Sequence, residues 1–142
     1  MSTEDNKATV RRGFEAVWHQ KNVDNAEGHL STDFVNHDPA MTMQGLEQYR
    51  PFVSGYLSAF PDLHFTIEDQ IAEGDKVVTR WTARGTHQGS FMGIPATGKQ
   101  GEVTGITIDR FANGKIVESW YNFDALGLMQ LLGVTTAPGQ PG

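Results

Sequence analysis

The chain has 142 residues, the size of one ordinary domain. With 38% hydrophobic and 20% charged residues it has enough apolar side chain for a core, which excludes wholesale disorder. A net charge of -6 argues against a nucleic-acid partner, and the absence of cysteine excludes disulfides, thiolate zinc sites and thiol catalysis.

The N-terminus, Met1-Ser2-Thr3-Glu4-Asp5, is acidic and polar, without the basic and apolar regions of a secretion signal. No later segment reaches the roughly 18 uninterrupted apolar residues of a membrane span. The expectation is a soluble cytoplasmic protein with no membrane partner. Ser2 or Thr3 is placed to cap a first helix, and Val10, Phe14, Val17 and Trp18 give residues 5 to 20 one apolar face. Asp24 is placed to cap a short second helix through Leu30. Phe34 to Pro39 reads as extended and ends at a proline turn. A third helix is predicted from about Gly45 to Ala59, with Pro51 either marking its first turn or kinking it.

After Pro61-Asp62 the period changes from helical spacing to alternation, so His64 to Ile71 reads as a strand. Glu73-Gly74-Asp75-Lys76 is a hairpin turn, and Val77 to Arg84 is a β-branched strand. A glycine-rich loop from Gly85 to Gly101 carries Phe91, Met92 and Ile94, which suggests a lid or a subunit contact. Its Gly93–Lys99 stretch lacks the spacing of a phosphate loop. Two more strands, Glu102 to Phe111 and Lys115 to Phe123, flank Asn113-Gly114, a strong hairpin signal. A short helix follows from Leu126 to Leu132. One domain is expected over residues 1–134, with a loose tail expected over the Pro/Gly-rich residues 135–142.

Helices followed by a strand meander give an α+β domain. The expected architecture is a cone: a curved, mostly antiparallel sheet packed against N-terminal helices and enclosing an apolar pocket. Trp81, Tyr121 and Phe123 are expected on the sheet face away from the helices. There they would supply an apolar surface for a homodimer or higher homo-oligomer.

Several segments, read in order, carry a family resemblance: Phe60-Pro61-Asp62-Leu63, Glu73-Gly74-Asp75-Lys76-Val77, Gly85-Thr86-His87-Gln88-Gly89, Gly93-Ile94-Pro95-Ala96-Thr97-Gly98, Gly114-Lys115-Ile116-Val117-Glu118-Ser119-Trp120 and Asp124-Ala125-Leu126-Gly127-Leu128. From Phe14 to Gly133 the chain resembles the SnoaL-like polyketide cyclases, also called ester cyclase-like proteins. The resemblance implies the cone of the nuclear transport factor 2-like superfamily. It also implies cofactor-independent closure of a ring by intramolecular aldol condensation, with an aspartate at the position of Asp124 as the acid and base.

Trp120, Asn122 and Asp124 share one strand face, so a carboxylate stands among ring and amide groups. A single carboxyl can remove a proton alpha to a carbonyl and return it to the new alkoxide if its pKa lies near working pH. The bland reading is that Asp124 caps the helix after it. His37 and Asn36, beside Asp38-Pro39, are placed to polarise a carbonyl and to donate to an enolate oxygen, or simply to form a turn. Arg80 either binds a ligand oxygen or pairs with an acid on a neighbouring strand, such as Asp109 or Glu118. His87 either faces the pocket or braces the loop. Trp18 and Phe60 complete the expected apolar wall. No histidine pair has the spacing of a zinc motif, so neither metal nor cofactor is expected.

The expected ligand is a small apolar carbonyl compound. The alternatives are a non-catalytic small-molecule carrier, a ketosteroid isomerase-like enzyme or a limonene-type epoxide hydrolase. The last needs an acid two residues after the arginine, where this chain has Thr82.

Overall fold

In a computed structural model that describes residues 2–133, the first helix, α1 (Thr3–Gly13), starts at a capping box. Ser2 accepts from the Asp5 amide, and the Asp5 carboxylate accepts from the Ser2 amide. Such a box contributes about 1 kcal/mol. The apolar face predicted over residues 5 to 20 is real, but it is not one α-helix. From Phe14 to His19 the chain widens into a π-helical turn, with Gln20 N–H reaching Glu15 C=O and Asn22 N–H reaching Val17 C=O. π-Turns are rare and shift the side chains that follow them. Here the turn brings Phe14, Val17 and Trp18 together on the interior wall.

A 3-10 turn (Val23–Gly28) follows, capped by Asn22 rather than Asp24, because the Asn22 side chain accepts from the Asp24 amide. Leu30 does not end a helix. It opens β1 (Leu30–His37). A short β2 (Thr42–Gln44) leads into α2 (Gly45–Ala59), which runs on through Pro51 without the hydrogen bond that position would donate. Then come β3 (His64–Glu73), β4 (Lys76–Thr86), β5 (Gln100–Ala112) and β6 (Lys115–Phe123), and the chain closes on α3 (Ala125–Leu131). The β5–β6 turn places Asn113 and Gly114 at φ 53° and 79°, the two left-handed positions that an Asn-Gly hairpin demands.

The six strands form one sheet in the order β2-β1-β6-β5-β4-β3. All neighbours are antiparallel except β1 and β6, which run parallel. The helices lie against one face. One apolar cluster, around Val17, Phe34, Val53, Val77 and Phe111, fills the closed end. A second, around Phe60, Leu63, Phe91, Leu128 and Leu132, fills the end covered by α3 and the loop 87–99. Within that loop Phe91 is buried against Tyr56 and Phe60, whereas Met92 is 75% exposed. The expected tail, 135–142, lies outside the described residues. No helix among those described is long and apolar enough to cross a membrane.

Trp81 is held in place by a close approach. Its ring lies over Gly105 of β5, where a Cβ would overlap it, and its indole N–H donates to Thr107 Oγ1 at 2.9 Å. Replacing Gly105 by alanine must push the ring off the strand. We expect Gly105→Ala to lower stability by about 2 kcal/mol, as overpacking does. Urea unfolding checks this, with an unchanged denaturant slope.

Candidate functional site

Side chains alternate along a strand, so register decides which of them look inward. On β5 the inward set includes Val103, Thr107 and Asp109, and on β6 it includes Ser119, Tyr121 and Phe123. On β1 it includes Phe34 and Asn36. These residues, with the π-turn, α2 and α3, line a partly open cavity of about 170 Å³. Its lining is largely apolar and aromatic. Phe65 meets Phe14, Trp18 and Trp81, each at 5.2 Å between ring centres.

One wall is polar. Asn36 pairs in register with Ser119, and Ser119 with Asp109, so three adjacent strands present an amide, a hydroxyl and a carboxyl side by side. All three are nearly fully buried, at 4%, 4% and 6% exposure. The Ser119 hydroxyl donates to Asp109 Oδ1. Burial raises the Asp109 carboxyl to about pKa 6, and the Ser119 hydrogen bond offsets this only in part. The charged form is the one that desolvation penalises. Burial also raises the Tyr49 hydroxyl, with the Asp109 charge adding to it.

The histidine and tyrosines on the cavity are held uncharged. Burial, helped by Lys115 and Arg12, lowers His29 to about 4, so its imidazole is neutral. Its ring packs against Gly13, where a Cβ would stand 2.6 Å from Nε2. Burial, with Asp38 nearby, pushes Tyr56 up to about 12. Tyr121 is raised by burial and by donating its hydroxyl to Asp38. Arg84 reaches the cavity rim, but its guanidinium is tied to Glu102 at 2.6 Å. Among the described residues no group of three or more His, Cys, Asp or Glu converges as metal ligands.

The structure divides the residues singled out from the sequence. Asn36, Trp18 and Phe60 line the cavity. His37, Trp120, Asn122 and Arg80 do not, because their strand positions look out from the other face of the sheet. There His37 stacks on Trp120 and bonds Glu118 Oε2 at 2.7 Å. That bond, with Arg110, lowers the Glu118 carboxyl. Arg80 forms an ion pair at 2.6 Å, with Asp69 of β3 rather than with Asp109 or Glu118. A bulge between Ile67 and Asp69 puts Asp69 opposite it.

His87 is fully buried and braces the loop. Its Nδ1 accepts from the Thr97 amide at 3.2 Å and meets Thr97 Oγ1 at 3.0 Å. Asp124 is exposed and caps α3 through a hydrogen bond from the Gly127 amide at 2.9 Å. It does not line the cavity, although Leu128 and Leu131 of α3 do. Trp81, Tyr121 and Phe123, expected on an outer surface, line the cavity instead. Asp109 had one sequence signal. It alternates with Thr107 and Phe111 on a β-branched strand, an inward position for an acid.

A family model for SnoaL-like polyketide cyclases matches residues 8–132. Solved structures agree. A SnoaL-like protein of Jannaschia sp. CCS1, proposed to be a polyketide cyclase, is 26% identical, with 94% of this chain and 95% of that one aligned at a TM-score of 0.86. AclR of Streptomyces galilaeus, proposed to be a hydroxylase, is 30% identical over 96% and 89% of the two chains, with a TM-score of 0.85. IdmH of Streptomyces antibioticus, proposed to be a polyketide cyclase, is 29% identical over 90% and 98%, with a TM-score of 0.76. No curated protein matches the chain.

The raised carboxyl has a consequence for stability. The folded chain binds the Asp109 proton more tightly than the unfolded chain, so this residue's contribution falls as pH rises from about 4 to about 6. The shift from 3.8 to about 6 corresponds to roughly 3 kcal/mol. Asp109→Asn should match wild type in stability near pH 4 and exceed it by up to about 3 kcal/mol above pH 7. Urea unfolding at the two pH values checks this. A difference that does not change with pH contradicts it.

Proposed function

The chain belongs to the SnoaL-like polyketide cyclase family, and we propose that it is a cyclase-like acid–base enzyme acting on a small, mostly apolar carbonyl compound held in the cavity. The observation that carries this reading is Asp109, a carboxyl with its pKa moved toward neutrality inside an aromatic chamber. In the step we infer, the Asp109 carboxylate takes a proton from the carbon alpha to a ligand carbonyl, leaving an enolate. The Asn36 amide N–H donates to the enolate oxygen. The enolate carbon attacks a second carbonyl of the same molecule, a C–C bond forms, and that C=O becomes an alkoxide. The protonated Asp109 returns its proton to the alkoxide. Atoms and electrons balance without an oxidant or cofactor.

Asp124 is the carboxylate that the family resemblance favours. Its tie to the cavity runs through α3, which it caps and whose Leu128 and Leu131 face the ligand space. The outward-facing His37, Arg80, Trp120 and Asn122 take no part in the proposed step. The epoxide-hydrolase alternative loses its arginine, since Arg80 is bonded to Asp69 away from the cavity. An isomerase-like proton transfer uses the same groups. A non-catalytic carrier would need the chamber but not the carboxyl.

Solvent exchange separates these readings. In heavy water the protein should accelerate loss of the benzylic proton signal of phenylacetone, followed by NMR, with a rate that rises as pH passes about 6. Asp109→Asn should slow this by roughly 100- to 10,000-fold. Asp124→Asn can still cap α3 and should leave the rate near wild type. The reverse pattern makes Asp124 the proton carrier, and bound probe without exchange favours the carrier.

We also propose a homodimer, on a different basis from the one the sequence suggested. Ile71, Val78, Ile108, Trp120 and His37 pair in register across five strands on the outer face, and Ile71 is 68% exposed. An isologous contact of two such rows would cover them. Light scattering at micromolar concentration should give twice the chain mass, and Ile71→Lys with Ile108→Lys should halve it. A monomeric wild type contradicts this.

A further inference from the structure

The cavity is small for a ligand site. Ligand pockets commonly measure about 300–1,000 Å³, and an apolar cavity of about 150 Å³ holds one benzene ring. At about 170 Å³ this chamber has room for one ring and a short substituent. Its walls have little freedom to yield. Phe65 is wedged among Phe14, Trp18 and Trp81, and Trp81 is pinned by Gly105 beneath it and by its bond to Thr107. Phe52 locks Tyr56 to Tyr121 across the helix side, at 5.1 and 6.2 Å. Interlocked rings of this kind resist expansion, because close-packed interiors transmit strain rather than absorb it.

Charge narrows the ligand further. Among the described residues that line the chamber, the one guanidinium, Arg84, is occupied by Glu102. His29 is buried beside the cations Lys115 and Arg12, which oppose its protonation. An anionic ligand would therefore enter without a counter-charge, which is costly in an apolar space. Asn36, Ser119 and Asp109 stand side by side on one wall and supply hydrogen-bonding groups there. The Asn36 side chain, in a residue only 4% exposed, lies on this wall.

We propose that the ligand is a neutral compound of one ring, or an open chain that closes to one ring. Its carbonyl groups lie along the edge held against Asn36 and Asp109, and its apolar body lies among Trp18, Phe65 and Trp81. This rests on the acid–base reading of the same site and names its substrate class. A fused multi-ring compound overfills the chamber. The missing counter-charge rejects carboxylates and phosphates.

The test is a series of aryl ketones, namely acetophenone, 2-acetylnaphthalene and 2-acetylanthracene, with toluene and benzoate as controls. Binding is read from the indole NMR signals of Trp18 and Trp81. In a roomy apolar pocket affinity would climb with ring number. Here it should fall by roughly tenfold or more from one ring to three. Acetophenone should bind more tightly than toluene, and benzoate should not bind detectably at pH 8. Asn36→Leu should cost acetophenone roughly three- to tenfold in affinity and leave toluene unchanged. The wild-type comparison of acetophenone with toluene stands even if that variant fails to fold. Tighter binding of 2-acetylanthracene than of acetophenone, or binding of benzoate, would overturn the proposal. Phenylacetone exchange keeps the two claims apart. Exchange with a three-ring preference sinks the size inference alone, and single-ring binding without exchange sinks the acid–base reading alone.

Discussion

Taking a carboxyl group out of water is costly unless it is neutral or well bonded, and this chain places one in the middle of a polar interior wall. Asp109 sits where three strands meet in register, with Ser119 beside it and Asn36 one strand further on. A one-residue slip of β6 against β5 would turn Ser119 outward and leave the carboxyl without its donor. The site therefore depends on strand pairing, and the pairing depends on the Asn113-Gly114 turn that joins β5 to β6. The parallel contact between β1 and β6 adds Asn36, a residue distant in sequence from the other two.

The aromatic shell gives that carboxyl its character. The π-turn after α1 delivers Phe14, Val17 and Trp18 to the interior, and Gly105 lets Trp81 lie flat on the sheet. These features keep water and counter-charge away, and so the proton is held more tightly than in water. Buried His29 and Asp109 oppose each other in acid, since one loses stability on protonation and the other gains it. Neither group would be affordable on a small domain without the apolar core at the closed end of the cone.

Much of this fold was legible in the sequence. The shift from helical spacing to alternation at Pro61-Asp62 marks where the sheet begins. The Asn-Gly turn and α2 lie where their patterns put them, and the family motifs name the cone. The face of each strand was less legible. Alternation groups Trp120 with Asn122 and Asp124, and Ser119 with Tyr121 and Phe123, but it does not say which set looks inward. Bulges in β3 and between β5 and β6 break the simple count. Asp109 stood on an inward strand position, yet an acid in a strand looks like a surface charge until its neighbours are known. The π-turn left no trace in the hydrophobic period, because the same residues satisfy an α-helical stripe.

The most direct measurement is the titration of the Asp109 side-chain carboxyl carbon by NMR, in protein labelled at aspartate, with Asp109→Asn used to assign the signal. A midpoint near 6 is expected, well above the usual aspartate range. A midpoint at or below about 4 would contradict a buried proton-holding carboxyl, and with it the chemistry assigned to this cavity.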